Sequence, residues 1–131
     1  MRKFPFVLLS LFLILIISCQ IEEKYSYLRA VNSSVNPDYE DVITDIYISE
    51  NATQDNFRSI WNGKLKPGQS TILKINCGNF GVKFKGTRYY HSGIEKAIDV
   101  TTGYRTPVSF ASFWTFRLIF DGEGLYAKEE D

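Results

Sequence analysis

The chain has 131 residues with 15 basic and 15 acidic side chains, which leaves room for one domain of useful core size and no basic footprint for nucleic acid. With one histidine and two cysteines, it falls short of the ligand count of a zinc site, and a nucleophilic hydrolase would have His91 as its one available histidine base. The expectation is a protein that is not an enzyme and carries no cofactor or metal.

Arg2 and Lys3 open the chain and favour keeping that end in the cytoplasm, while the apolar run Phe4 to Ile17 enters the bilayer. At about fourteen residues the run is shorter than the ~20 that a membrane-spanning helix needs. It therefore reads as an export signal. The signal ends in Ile16-Ile17-Ser18-Cys19, a small residue before a cysteine with branched aliphatics behind it. This resembles the lipobox of bacterial lipoproteins. The resemblance implies that the Cys19 thiol receives a diacylglyceryl group, that cleavage makes Cys19 the first residue, and that its amino group is acylated with a chain such as palmitate. One acyl chain binds a membrane only marginally, and two or three hold a protein there stably. Gln20, where an aspartate signals inner-membrane retention in well-studied Gram-negative bacteria, implies an outer-membrane location, with the domain facing the periplasm or the exterior. The expected division is residues 1–18 as signal, 19–24 as lipidated cysteine and tether, and 25–131 as the domain.

Loss of the signal removes two bases, leaving thirteen against fifteen acids, and leaves Cys77 as the lone thiol. Cys77 continues the alternation Thr71, Leu73, Ile75 and is expected on the apolar face of a strand. The period is two throughout this region. Val42, Thr44, Ile46 and Ile48 alternate with Ile43, Asp45, Tyr47 and Ser49, and Phe80, Val82 and Phe84 alternate with Gly81, Lys83 and Lys85. Ile94, Ile98 and Val100 form a weaker stripe, with Lys96 reaching out to an edge. From Val108 to Phe120 one parity holds Val108, Phe110, Trp114, Phe116, Leu118 and Phe120, which predicts a central strand. Its other parity holds Phe113 and Ile119, which need a cover or an exposed face.

Between these runs, Asn62-Gly63 suits a type I′ hairpin turn, Pro67-Gly68 a type II turn, and Asp121-Gly122 a hairpin leading to Leu125 and Tyr126. Gly78-Asn79, Gly86 and Gly103 mark further reversals. Strands are expected near 25–31, 42–49, 58–65, 70–77, 80–85, 87–91, 94–101 and 108–120, with a helical turn or a surface loop between 50 and 59. The predicted fold class is all-β, a single antiparallel β-sandwich, immunoglobulin-like or small barrel-like, of seven or eight strands.

Ile46-Tyr47-Ile48-Ser49, Trp61-Asn62-Gly63-Lys64-Leu65, Pro67-Gly68-Gln69-Ser70 and Gly78-Asn79-Phe80-Gly81-Val82 resemble, in that order, small β-sandwich domains that recur in exported bacterial lipoproteins. In those domains a strand ends at serine, a tryptophan-glycine hairpin follows, and a proline-glycine turn starts the next strand. The resemblance implies a fold and assigns no activity.

Three groups of side chains bear on function. Asp38, Glu40, Asp41 and Asp45 gather carboxylates near Asn36-Pro37, but their spacing matches no calcium loop. His91 has Ser92 beside it, and neighbours on a strand point to opposite faces. Tyr89, Tyr90, Tyr104 and Trp61 are either packing residues or a stacking surface for a sugar ring or a protein. The expected function is a membrane-anchored, non-enzymatic binding module of the cell envelope, its partners being the membrane through Cys19 and an envelope protein or glycan. The alternatives are a structural envelope component and an inhibitor or immunity-type protein that neutralises a lytic enzyme or toxin.

Overall fold

The computed structural model describes residues 25–50, 56–102, 108–110 and 115–129. Cys19, Tyr104, Phe113 and Trp114 lie outside them, as do 51–55 of the 50–59 stretch expected as a helical turn or loop, whose residues 57–59 belong instead to a strand. The elements are β1 (Tyr25–Asn32), β2 (Tyr39–Glu50), β3 (Phe57–Leu65), β4 (Ser70–Asn76), β5 (Gly78–Tyr90), β6 (Glu95–Thr101), β7 (Val108–Phe110), β8 (Thr115–Phe120) and β9 (Leu125–Glu129). The described residues contain strands and turns and no helix.

The strands form two sheets, one in the order β4-β1-β8-β9 and one in the order β3-β2-β5-β6, with β7 paired to the start of β5. Their inner faces share one core. Leu28, Ala30, Leu118 and Phe120 from the first sheet and Ile43, Ile46, Ile48, Val82 and Phe84 from the second are all buried in it. The strict alternation of buried and half-buried residues along β1 follows from the pleat of a strand with one face on that core.

The strand pairing and turns differ from the sequence reading at several points. The segment 108–120 is not one strand: β7 pairs with β5 in the second sheet and β8 lies between β1 and β9 in the first. The β1–β8 pair is parallel, because both strands run from the same end of the molecule, so the fold is antiparallel at every strand pair except this one. Gly86 does not reverse the chain, since β5 runs unbroken from Gly78 to Tyr90. Asn62-Gly63 forms no hairpin either. Both residues lie inside β3, where Asn62 Nδ2 donates to Asp45 Oδ1 on β2 at 2.7 Å and the Trp61 ring folds over Gly63. Gly103 lies outside the described residues, Gly78-Asn79 open β5 just after the bend at Cys77, and the Pro67-Gly68 and Asp121-Gly122 cues agree with the backbone. Gly68 adopts φ 85° with Gln69 N donating to Lys66 O at 3.0 Å, as a type II turn requires. On β8, Leu118 and Phe120 face the core, while Ile119, on the other face, is buried between strands that place Val31 and Tyr126 beside it.

The registers fix which end of the molecule each turn occupies. β1 starts at Tyr25, opposite Asn76, and ends at Asn32, and the turns 33–38, 66–69, 91–94 and 121–124 all gather at the Asn32 end. They are stitched together there. Asn32 N donates to Gln69 O, Gly68 N to Asn32 O, Ser33 N to Phe120 O and His91 N to Asp38 O, all within 3.2 Å. An eight-residue strand rises roughly 26 Å, so this four-turn end lies about that far from Tyr25, the first described residue.

The β8–β9 turn supplies a pH-dependent contact. Asp121 Oδ1 accepts from Glu123 N and Gly124 N at 2.9 Å each, and these backbone donors, Gly124 first, hold the carboxyl below its ordinary value of 3.8. A carboxyl depressed in the folded state contributes stability that is present above the unfolded pKa and is lost as pH falls through the folded one. Asp121→Ala is therefore expected to lower the melting temperature at pH 6–7 and to lose that effect progressively as the pH falls below the ordinary carboxyl value of 3.8 and through the depressed folded-state one. A melting difference that stays constant from pH 7 to pH 2 would contradict this.

Candidate functional site

The site lies on the outer face of the second sheet, at the four-turn end. β2 carries an extra residue against β5: Ile43 faces Gly86 and Asp45 faces Lys85, leaving Thr44 in a bulge. The bulge changes which residues face inward. Asp41 and Ile43 point inward before it and Ile46 and Ile48 after it, so Val42 and Thr44 are not on the core face with Ile46 as the simple alternation predicts. Val42 is 7% exposed yet stands apart from the core cluster, because outer-face side chains cover it.

Those covering side chains border a groove of about 350 Å³. Val42 and Thr44 line it from β2, together with Glu40, which faces Tyr89 across the β2–β5 ladder. Lys64 and Lys66 close the β3 side, and Tyr89, Tyr90 and His91 the β5 side. The volume falls within the roughly 300–1,000 Å³ of small-ligand sites. Tyr89 is 42% exposed, which leaves ring surface open to a ligand.

A buried polar network braces the groove from beneath. Asp41 is fully buried, and its carboxylate accepts from Arg88 Nε at 2.8 Å, Arg88 Nη2 at 3.0 Å and Ser34 Oγ at 2.6 Å. Arg88 also donates to Gly122 O at 2.7 Å, and its guanidinium lies 3.8 Å from the centre of the Tyr39 ring. Tyr39 meets Tyr90 edge to face at 5.4 Å. Hydrogen bonding to Asp41 is the main reason Arg88 is held protonated beyond its ordinary range, with burial opposing it and Tyr90 adding to it. Beside this pair, Asn32 Nδ2 donates to Asp41 O and Leu65 O, both at 2.8 Å, and Asn32 Oδ1 accepts from Ser34 N. The network joins both sheets to the turn that holds Gly122. It fixes the base of the Tyr89-Tyr90-His91 segment.

The aromatic residues singled out from sequence separate cleanly. Tyr89 and Tyr90 line the groove, whereas Trp61 is partly buried against the core and serves packing. His91 joins the groove, and Ser92 lies in the following exposed turn. The four carboxylates are dispersed: Asp38 is in a turn, Glu40 faces the groove, Asp41 pairs with Arg88, and Asp45 accepts from Asn62 and Thr44. Among the described residues no three His, Cys, Asp or Glu side chains assemble to hold a metal. Cys77 sits half-buried at the bend between β4 and β5, one residue past the strand on whose apolar face it was expected. Lys64 and Lys66 were not anticipated, although their i, i+2 spacing places them on one face. Comparison of the chain with protein-family models, curated proteins and solved structures gave no match.

Proposed function

We propose that the protein is a lipid-anchored, non-enzymatic binding module of the bacterial cell envelope, an immunoglobulin-like β-sandwich tethered through Cys19 that binds its partner in the groove of Tyr89, Tyr90 and His91. The observation that carries this reading is the position of the groove. It opens at the four-turn end, while the chain enters the domain at the other end of β1, so a tether ending at Tyr25 holds the groove away from the bilayer. The bracing by Asp41 and Arg88 supports binding in a second way, since a wall fixed in advance loses little entropy when a ligand is seated. A second reading, neutralisation of a foreign lytic enzyme or toxin through the turns, draws support from Val35 and Ile94, apolar side chains 87% and 65% exposed at this same end.

Two measurements on the full chain test the proposal. In cells given a clickable palmitate analogue, the native chain is expected to take up label and to fractionate with membranes, and Cys19→Ala to do neither. A photo-crosslinking amino acid at position 89 is expected to capture an envelope component, while the same group at Tyr126, on the outer face of the other sheet, captures none. Labelled Cys19→Ala would exclude the anchor, and equal capture from both positions would exclude the groove.

A further inference from the structure

The groove is unevenly charged. Lys64 and Lys66 project from alternate positions of β3 and the turn after it, and among the described residues neither ammonium is ion-paired. The ion pair formed nearby, Arg88 with Asp41, is on the inner face and already satisfied. Across the groove, the open ring of Tyr89 stands beside Glu40, whose carboxylate is also unpaired among the described residues. An aromatic ring, a carboxylate residue and two lysines therefore line one recess together with the apolar side chain of Val42.

We propose that this groove binds an acidic saccharide, with one sugar ring stacked on Tyr89, its hydroxyls donating to Glu40, and its carboxylate held by Lys64 and Lys66. The proposal rests on the reading of the groove as the binding site and adds the ligand class. Each part of the recess has a matching part in such a ligand. The C–H face of a pyranose covers an aromatic ring, as apolar surface does generally. Its vicinal hydroxyls need an acceptor, and an ionised carboxylate accepts without competing as a donor. A carboxylate on the sugar gains from two ammonium groups that otherwise repel one another, whereas a neutral sugar leaves that repulsion in place. An apolar peptide side chain would match Val42 and Tyr89 but would desolvate Glu40, Lys64 and Lys66 without replacing their hydrogen bonds.

The test uses the full lipidated chain in detergent micelles on an array of oligosaccharides bearing uronate, sialate or N-acetylmuramate residues, each printed beside the same oligosaccharide with its carboxyl reduced to an alcohol. At least one acidic member is expected to bind at least tenfold more tightly than its reduced counterpart. Tyr89→Ala should weaken that binding by tenfold or more, and Tyr89→Phe should retain it because stacking needs the ring. The double variant Lys64→Ala/Lys66→Ala should abolish the preference for the acidic form and flatten the salt dependence. Melting temperatures of the variants within two or three degrees of the parent show that the fold is intact. Equal binding of acidic and reduced forms would overturn the ligand class while leaving the groove as a binding site. Binding to no saccharide, combined with crosslinking from position 89 to a protein, would overturn the saccharide and leave the module reading standing. Absence of both would overturn the two together.

Discussion

Asp41→Leu is expected to destabilise the domain by about 3–4 kcal/mol, and its damage is expected to be largely relieved when Arg88→Met is added. The single change leaves a guanidinium that is 17% exposed with its anion gone, and it removes the acceptor of the Ser34 hydroxyl. Removing one partner of a buried pair typically costs about 3–5 kcal/mol, and the partial access of Arg88 to water sets the value near the low end of that range. Replacing both partners by apolar groups of similar volume removes the uncompensated charge and is often close to neutral. Urea denaturation of the parent, both single variants and the double variant gives the coupling directly. Additive losses would show that the two side chains act independently. The Gly122 carbonyl, deprived of its Arg88 donor, is expected to keep the double variant about 1 kcal/mol below the parent.

The network could be read only in part from sequence. Asp41 precedes Ile43 by two residues, so the pleat puts it on the face of Ile43, and a carboxylate sharing an inward face with Ile43 demands a partner. Arg88 follows Phe84 by four residues on a strand whose even-numbered side chains face inward, which makes it the natural candidate. Two features concealed this pairing. Val42, Thr44, Ile46 and Ile48 read as one face of a continuous alternation in sequence, and only the bulge at Thr44 shows that Val42 and Ile46 point to opposite faces. Gly86, read as a reversal, split β5 and detached Arg88 from the parity of Phe84. A bulge is set by the approach of two strands distant in sequence, so a local period cannot register it.

Strand existence was far more legible than strand pairing. Residues such as Leu28, Ile46, Phe84 and Leu118 announce a buried face through a period of two, which depends on nothing beyond the strand that carries them. The passage of the chain between the sheets after β7, and the parallel seating of β8 beside β1, depend on which edge is free when the chain arrives. Asn62-Gly63 makes the same point at the scale of a turn. The dipeptide permits a type I′ reversal but does not compel one, and the cross-strand bond from Asn62 to Asp45 and the cover supplied by Trp61 favour an extended β3. The groove was half visible, since Tyr89-Tyr90-His91 stands out, whereas Lys64, Lys66 and Glu40 join it only through the β3-β2-β5 order.

Gly86→Ala should be nearly as damaging as breaking the Asp41–Arg88 pair, even though the substitution adds a single methyl group. A Cβ at Gly86 would lie 2.0 Å from the carbonyl oxygen of Val42 and 2.9 Å from Ile43 Cα, both backbone atoms that no side-chain rotation can move aside. Relief requires β2 and β5 to separate at the bulge, in the middle of the second sheet. Overpacking of this kind costs typically 1–3 kcal/mol, and the backbone character of the contact places the expected loss at about 3 kcal/mol. For a domain of this size that corresponds to a fall in Tm of roughly 10–20 °C. Gly124→Ala is the matched control, since a Cβ there meets nothing within 4 Å, and it should stay within about 0.5 kcal/mol of the parent. Because the bulge that forces this close approach is also what turns Thr44 and Val42 toward the groove, Gly86→Ala should weaken ligand binding in the fraction that remains folded, whereas Gly124→Ala should not. A Gly86→Ala protein with unchanged melting would mean that the strands separate at little cost, and the bulge would then be too soft to hold the groove in shape.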